Sequence, residues 1–301
     1  MPAGRSRRPQ RRRRAGRALL GVTAFVLLLG LAAGGVLLAL QRLSPPAPVT
    51  QRCEATVDGS TYALGPDQAQ NAALFAGQAA RRGLPARAVT IAIATALQES
   101  RLENIDYGDR DSIGLFQQRP SQGWGSVEEI MDPVYATGRF FDGLVEVDGY
   151  EDMAVTDAAQ AVQRSAFPEA YAQHEQRARA WASALTGFSP AAVTCTLREP
   201  EAPGALDAAV ARVARDLGDV AVDPRAARDD EPARLVVHAE DRGDAPARQA
   251  WAVSAWAVAT ASVLGTTRVE VADRVWERST GAWTTDPEGR ALPTGRVRIT
   301  L

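Results

Sequence analysis

Glu99 is the only acid in an otherwise apolar run, Ala88-Val89-Thr90-Ile91-Ala92-Ile93-Ala94-Thr95-Ala96-Leu97-Gln98-Glu99, and Ser100 follows it. A carboxyl emerging there meets two effects of the same sign. Desolvation disfavours its charged form, and so do the carbonyls at a helix C-terminus. A carboxyl kept protonated near neutral pH is suited to general acid catalysis. Further along stands Gly114-Leu115-Phe116-Gln117-Gln118. Glycine lets a ring or another backbone come close, and the two amides offer donors and acceptors for hydroxyl and N-acetyl groups. Trp124, between Gly123 and Gly125, is either a platform for a sugar ring or a packed indole. Asp109 and Asp111 stand between Glu99 and Gly114. Each reads either as a second catalytic acid or as a turn-forming, solvated residue.

These residues need a rigid frame. Asp67 is placed to cap a helix running to about Ala80, and Pro85 opens a second that ends near Glu99. That second helix is apolar nearly all round, which predicts the central buried helix of its domain. Residues 101–125 read as a long functional loop. Helices are expected from Asp132-Pro133 to Leu144, from Thr156 to about Arg164, and from Pro168 to near Gly187. The expected body at 53–197 is therefore a mainly-α domain. A linker at 198–205 leads to a small α/β domain at 206–301. Helices are expected there at 206–217 and 249–264, and strands at 235–237, 267–271, 274–277 and 297–301. No nucleotide loop, catalytic triad or metal spacing is visible in that part, whose role the sequence leaves open.

The N-terminus has a different character. Residues 1–18 hold eight arginines and no acid, and 19–40 carry no charge. Roughly 22 such residues suffice to cross the hydrocarbon core of a bilayer, and the arginines would keep the N-terminus inside. A cleaved signal peptide is the alternative, although its apolar stretch is usually shorter. The expectation is a single N-terminal transmembrane helix: a cytoplasmic basic tail (1–18), an inner-membrane span (19–40), a Pro-rich linker (41–52) and an extracytoplasmic bulk. The net charge of −2 hides an acidic remainder, with 26 basic against 36 acidic residues beyond position 18. That balance disfavours nucleic acid as a partner. All 34 basic residues are arginine, a usage that points to a GC-rich genome such as an actinobacterial one.

Cys53 and Cys195, the only two cysteines, lie near the two ends of the expected α domain. On an oxidising side a disulfide between them is expected. By loop entropy it would be worth ~5 kcal/mol. Two buried thiols or an intermolecular bridge are the alternatives. With His174 and His238 they make no metal site, and no cofactor is expected.

The order Glu-Ser, polar loop, Gly-Leu-Phe-Gln resembles the lysozyme-like superfamily of peptidoglycan glycosidases, in particular soluble lytic transglycosylases and goose-type lysozymes. The resemblance covers about residues 65–186. It implies that Glu99 is the general acid/base, Ser100 its neighbour, and Gly114 to Gln117 a turn lining the glycan. Phe116 stands where Met is commoner in that family. The segment Ala161-Val162-Gln163-Arg164-Ser165-Ala166-Phe167-Pro168-Glu169-Ala170-Tyr171 departs from the Ala-Tyr-Asn-x-Gly pattern of transglycosylases. It is similar to a Gln-x-Ser-x-x-Pro-x-x-Tyr version found in lysozyme-like domains of actinobacterial wall and phage-tail proteins. Gln163, Ser165 and Tyr171 are then candidate cleft residues, while Phe167 and Tyr171 read equally as core. The resemblance implies peptidoglycan glycan strands as substrate. It implies cleavage by transglycosylation, which needs only the Glu, or by hydrolysis if Asp109 or Asp111 positions a water. A catalytically idle wall-binding module and a scaffold within a cell-envelope protein complex are the other two classes.

Overall fold

Strand β1 (Arg52–Val57) turns through Asp58 and Gly59 into β2 (Ser60–Leu64). Both turn residues have positive φ, 51° and 75°, as a two-residue hairpin turn with the twist of its strands requires. Strand β3 (Val193–Thr196) pairs antiparallel with the other edge of β1 and sets Cys195 directly opposite Cys53. The two cysteines form a disulfide. In this computed structural model the described residues are 27, 29–31, 34–35, 49–165, 167–229, 231–243, 245–287 and 289–301.

Between β2 and β3 run the helices. They are α1 (Pro66–Arg81), α2 (Ala86–Ser100), α3 (Val127–Met131), α4 (Pro133–Val145), α5 (Val155–Gln163), a 3-10 stretch (Pro168–His174) and α6 (Glu175–Leu185). Local chemistry sets several of their starts. Ser126 and Glu129 form a capping box at α3, and the Asp132 carboxylate accepts from Val134 N at α4. Helix α2 is the centre: 11 of its 15 residues are buried, and α1, α4, α5 and α6 all pack on it.

The rest of the chain adds α7 (Leu206–Leu217), β4 (Val222–Arg225), β5 (Arg234–His238), α8 (Pro246–Ala259), α9 (Ala261–Leu264), β6 (Arg268–Val271), β7 (Arg274–Glu277), β8 (Ala282–Thr285) and β9 (Arg296–Thr300). The six strands form one sheet in the order β4-β5-β9-β6-β7-β8, with every pairing antiparallel. Alternation sets one face. Leu235, Val237, Val269, Val271, Val297 and Ile299 are buried, and α8 packs on this sheet.

Two expectations are corrected. The fold is not mainly α, because it holds two antiparallel sheets of three and six strands. Among the described residues no helix is long and apolar enough to cross a membrane. The basic tail 1–18, most of the span 19–40 and linker residues 41–48 lie outside the described residues. Strands β1, β2, β3, β4 and β8 escape a periodicity argument because each has only four to six residues. Several also alternate small or charged residues with apolar ones.

Residues 49–301 form one compact unit, and polar contacts tie its helical part to its sheet part. The side chain of Asp216 is fully buried. It accepts from Arg212 Nε and Arg215 Nε, both at 2.7 Å, and from Trp256 Nε1 at 2.9 Å. Gln78 Nε2 and Arg81 donate to Arg215 O at the end of α7. The buried Arg278 donates to Arg198 O, Ala261 O and Thr266 O, fixing the start of the 198–205 segment. Trp283 Nε1 donates to Val193 O at 2.8 Å, joining β8 to β3.

Two stability outcomes follow. The Cys53–Cys195 bridge spans 142 residues, so Cys53→Ser or Cys195→Ser should cost about 2–5 kcal/mol. That lowers Tm by roughly 5–15 °C for a unit of this size. An unchanged melting temperature would contradict it. Gly77 lies inside α1, where Ala is normally favoured by ~1 kcal/mol. Its Cβ would sit 2.5 Å from Asp216 O, a backbone atom that cannot swing away. Gly77→Ala should therefore lower Tm by several degrees, and a raised Tm in a thermal scan would refute the close approach.

Candidate active site

Helix α2 ends abruptly. Arg101 and Leu102 both take the left-handed conformation, with φ of 58° and 65°. Leu102 N donates back to Ala96 O at 2.8 Å, which satisfies a terminal carbonyl as the chain reverses. Glu99, one residue before the end, is left partly exposed while everything N-terminal to it in the helix from Ala88 to Leu97 is buried.

The loop that follows returns to this end. Ser100 Oγ lies 2.7 Å from Leu115 O and 3.1 Å from Ala96 O. With one proton to give, its shorter contact is the bond to the loop. Gly114 has φ +78°, and a Cβ there would meet Ile130 O at 2.9 Å, so the turn needs glycine on both counts. Phe116 is fully buried in a stack, 5.0 Å from the Phe75 ring and 4.4 Å from Phe140. Gln163 Nε2 donates to Phe116 O at 2.7 Å and so pins the end of α5 to the same turn. Gln118, also buried, donates to Ala136 O. Gln117 takes a positive φ of 49° and reaches Tyr107 O with its amide.

Tyr171 completes the arrangement. Its hydroxyl donates to Glu99 Oε1 at 2.7 Å, and its ring is fully buried. Burial pushes the phenol well above its ordinary value. The Glu99 charge and hydrogen bond add to that, against a contact with Ser165 that acts the other way. The phenol therefore stays a donor at any physiological pH. Ser165 Oγ also meets Gln160 Oε1 at 3.1 Å and accepts from Phe167 N, holding the bend before Tyr171. Beside Glu99, Gln98 Oε1 meets Gln173 Nε2 and His174 Nε2, each at 3.1 Å. Burial, with the Arg177 charge second, lowers His174 from its ordinary value. Sequence reasoning missed this Gln98 pair. The available signal was a lone amide beside Glu99 in the last turn of an apolar helix.

The structure thus brings Glu99, Ser100, Gly114, Leu115, Phe116, Gln163 and Tyr171 together. Most act from beneath: Ser100, Gly114, Leu115, Phe116, Gln118 and Tyr171 are buried. Trp124 is half-buried and shares a groove of about 830 Å³ with Gln163, Arg139, Asp142, Glu146 and Arg164, whose lining does not include Glu99. The two acids in the loop are not placed alike. Asp111 accepts from Ser121 N at 2.8 Å and Arg119 Nε at 2.7 Å. The hydrogen bonds from Ser121, followed by the one from Arg119, hold it far below the usual carboxylate range. The Asp109 side chain is 96% exposed, with Arg110 at 4.0 Å. Among the described residues no group of three His, Cys, Asp or Glu could hold a metal ion.

No protein-family model matches the sequence, and no curated protein matches it.

The Ser100 hydroxyl joins helix and loop in a buried position, so Ser100→Ala leaves Leu115 O without that partner. Such a loss costs about 1–3 kcal/mol. Urea unfolding should show a lower midpoint with an unchanged slope, whereas an unchanged midpoint would mean that the bond contributes nothing.

Proposed function

We propose that the chain cleaves peptidoglycan glycan strands as a lytic transglycosylase, with Glu99 as general acid and then general base. The observation that carries this reading is the Tyr171–Glu99 hydrogen bond of 2.7 Å at the mouth of a buried helix. One carboxylate oxygen is held from below, which leaves Oε2 to face a glycosidic oxygen. Protonated Glu99 gives its proton to that oxygen as the C1–O bond breaks. The neighbouring N-acetyl carbonyl of the sugar supports the positive charge developing at C1. Glu99, now a carboxylate stabilised by the phenol, takes the proton of the C6 hydroxyl while its oxygen bonds to C1. A 1,6-anhydro ring closes and the acid is regenerated, so one carboxyl serves both steps.

The placement of the other acids supports a one-carboxyl scheme. Asp111 is committed to Arg119 and Ser121, and Asp109 points into solvent. A water-activating base for direct hydrolysis would have to come from elsewhere. The disulfide supports an oxidising, extracytoplasmic location, where peptidoglycan is found. A second reading, glycan holding without cleavage, draws on the groove at Trp124 and Gln163, because Glu99 is not in its lining.

The test is product analysis by mass spectrometry after incubating the full chain with purified peptidoglycan. Anhydro-ended muropeptides are expected, and Glu99→Gln should reduce their release by about 10²–10⁴-fold, the range for loss of a general acid. Tyr171→Phe keeps the ring's packing and loses the hydroxyl's contacts with Glu99 and Ser165. It should lower turnover by roughly 10–100-fold through misplacement of the carboxyl, with KM little changed. Reducing ends in place of anhydro ends would replace transglycosylation with hydrolysis. Sacculus binding without release would favour the holding role.

A further inference from the structure

The N-terminal end of α2 meets a second feature of the fold. Between the helical part and α7–α8 lies a cavity of about 650 Å³, within the size range of small-molecule sites. Its apolar wall includes Ala76, Leu84, Leu185, Leu217, Val253 and Trp256, and its polar groups are Arg87, Arg242, Arg248 and Gln249. Among the described residues no acid lines it, and none of the three arginines forms an ion pair. Their bonds go to neutral carbonyls. Arg242 donates to Leu217 O, Arg87 to Met153 O and Arg248 to Thr186 O, while the Arg248 guanidinium lies 4.9 Å from the Phe188 ring centre. The Nε atoms of Arg87 and Arg242 are buried without a hydrogen-bond partner.

Two further facts give the described lining one electrostatic sign. Helix α2 starts at its wall, after Pro85, and helix α8 starts there too, after Ala245. Neither start has a side-chain cap or an acid in its first turn. Each therefore sets the positive end of a helix dipole at the cavity wall. Gln249, only 8% exposed, lines the same space, and its side chain makes no hydrogen bond within the described residues. Burial, with the Arg81 charge second, pushes Arg242 down to about 10, which still leaves it cationic at neutral pH. Three guanidinium groups, two helix N-termini and an unused buried amide converge where no carboxylate of the described residues answers them.

We propose that this cavity binds an organic anion, with a carboxylate or phosphate head at Arg242, Arg248 and Gln249 and an apolar body along Leu84, Leu185, Val253 and Trp256. Arg supplies forked donors that match either head. The site is independent of the proposed glycan chemistry, since Glu99 lies at the far end of α2. At ~1.5 Å per residue that is roughly 20 Å away.

Calorimetric titration of the full chain tests it, using 1-naphthyl phosphate, 1-naphthoate and the neutral 1-naphthol as probes. Saturable one-to-one binding is expected for at least one anion, about tenfold or more tighter than for 1-naphthol and weakening as salt rises. The two anions distinguish a phosphate head from a carboxylate head. Arg242→Gln should weaken the anion by about tenfold in the folded variant. If that variant does not fold, Arg248→Gln and Gln249→Leu make the same test from the rim and the wall. Anion and naphthol binding alike, no binding by either anion, or full affinity in folded variants would overturn the proposal. None of these results bears on glycan cleavage, which is read separately from muropeptides.

Discussion

Helix α2 is buried on every side, and this constraint organises both ends of the molecule. A helix whose flanks are covered from Ala88 to Leu97 can offer chemistry to solvent only at its termini. At its C-terminus the left-handed pair Arg101–Leu102 turns the chain sharply away, so Glu99 emerges at an apolar floor and not on a solvated helix face. At its N-terminus Pro85 offers no side-chain cap, and the arginine-lined cavity collects there. Burial that stabilises the core thus also fixes the sign of the field at each end, negative at one and positive at the other.

Around that helix, polar bonds carry position and apolar contacts carry stability. The Gly114 turn contributes no exposed apolar surface of its own. It is held by Ser100 from the helix, by Gln163 from α5, and by Phe116 inserted between Phe75 and Phe140. Three separate segments of sequence therefore converge on one turn, which fixes the distance between Glu99 and the loop. Tyr171 closes the set from below. Outside this region, the three-stranded sheet brings the two ends of the helical stretch together, and the disulfide seals a pairing that the strands already make.

Much of the helical part was legible in the sequence, because its elements are long and strongly patterned. The apolar run to Leu97 predicts α2, Asp132-Pro133 predicts the start of α4, and 206–217 predicts α7 with its bounds. The two cysteines predict the bridge. The β-structure was legible at β5, β6, β7 and β9, each of which carries valine beside other β-branched, aliphatic or aromatic residues. Strands β1 and β2 carry Arg, Glu, Thr and Ser between small apolar residues, so the Asp58-Gly59 pair is their one strong signal. Strand β8 depends on β7 for its register, a long-range fact that no local pattern holds. For the site, residue types could nominate Glu99, Ser100, Gln163 and Tyr171. They could not reveal that Ser100 and Tyr171 work from beneath the surface. That follows from which segments pack together.

A single positioned carboxyl, a phenol beneath it and a turn tied to its helix are enough for proton delivery and recovery at one glycosidic oxygen. The most direct measurement is a crystal structure of the Glu99→Gln variant with a bound oligosaccharide of alternating N-acetylglucosamine and N-acetylmuramic acid. The account predicts a glycosidic oxygen about 2.6–3.2 Å from the side-chain amide at position 99, the reach of a general acid. The C6 hydroxyl of the muramic acid should lie on the same side. A glycan bound in the Trp124 groove with no glycosidic oxygen near position 99 would contradict it.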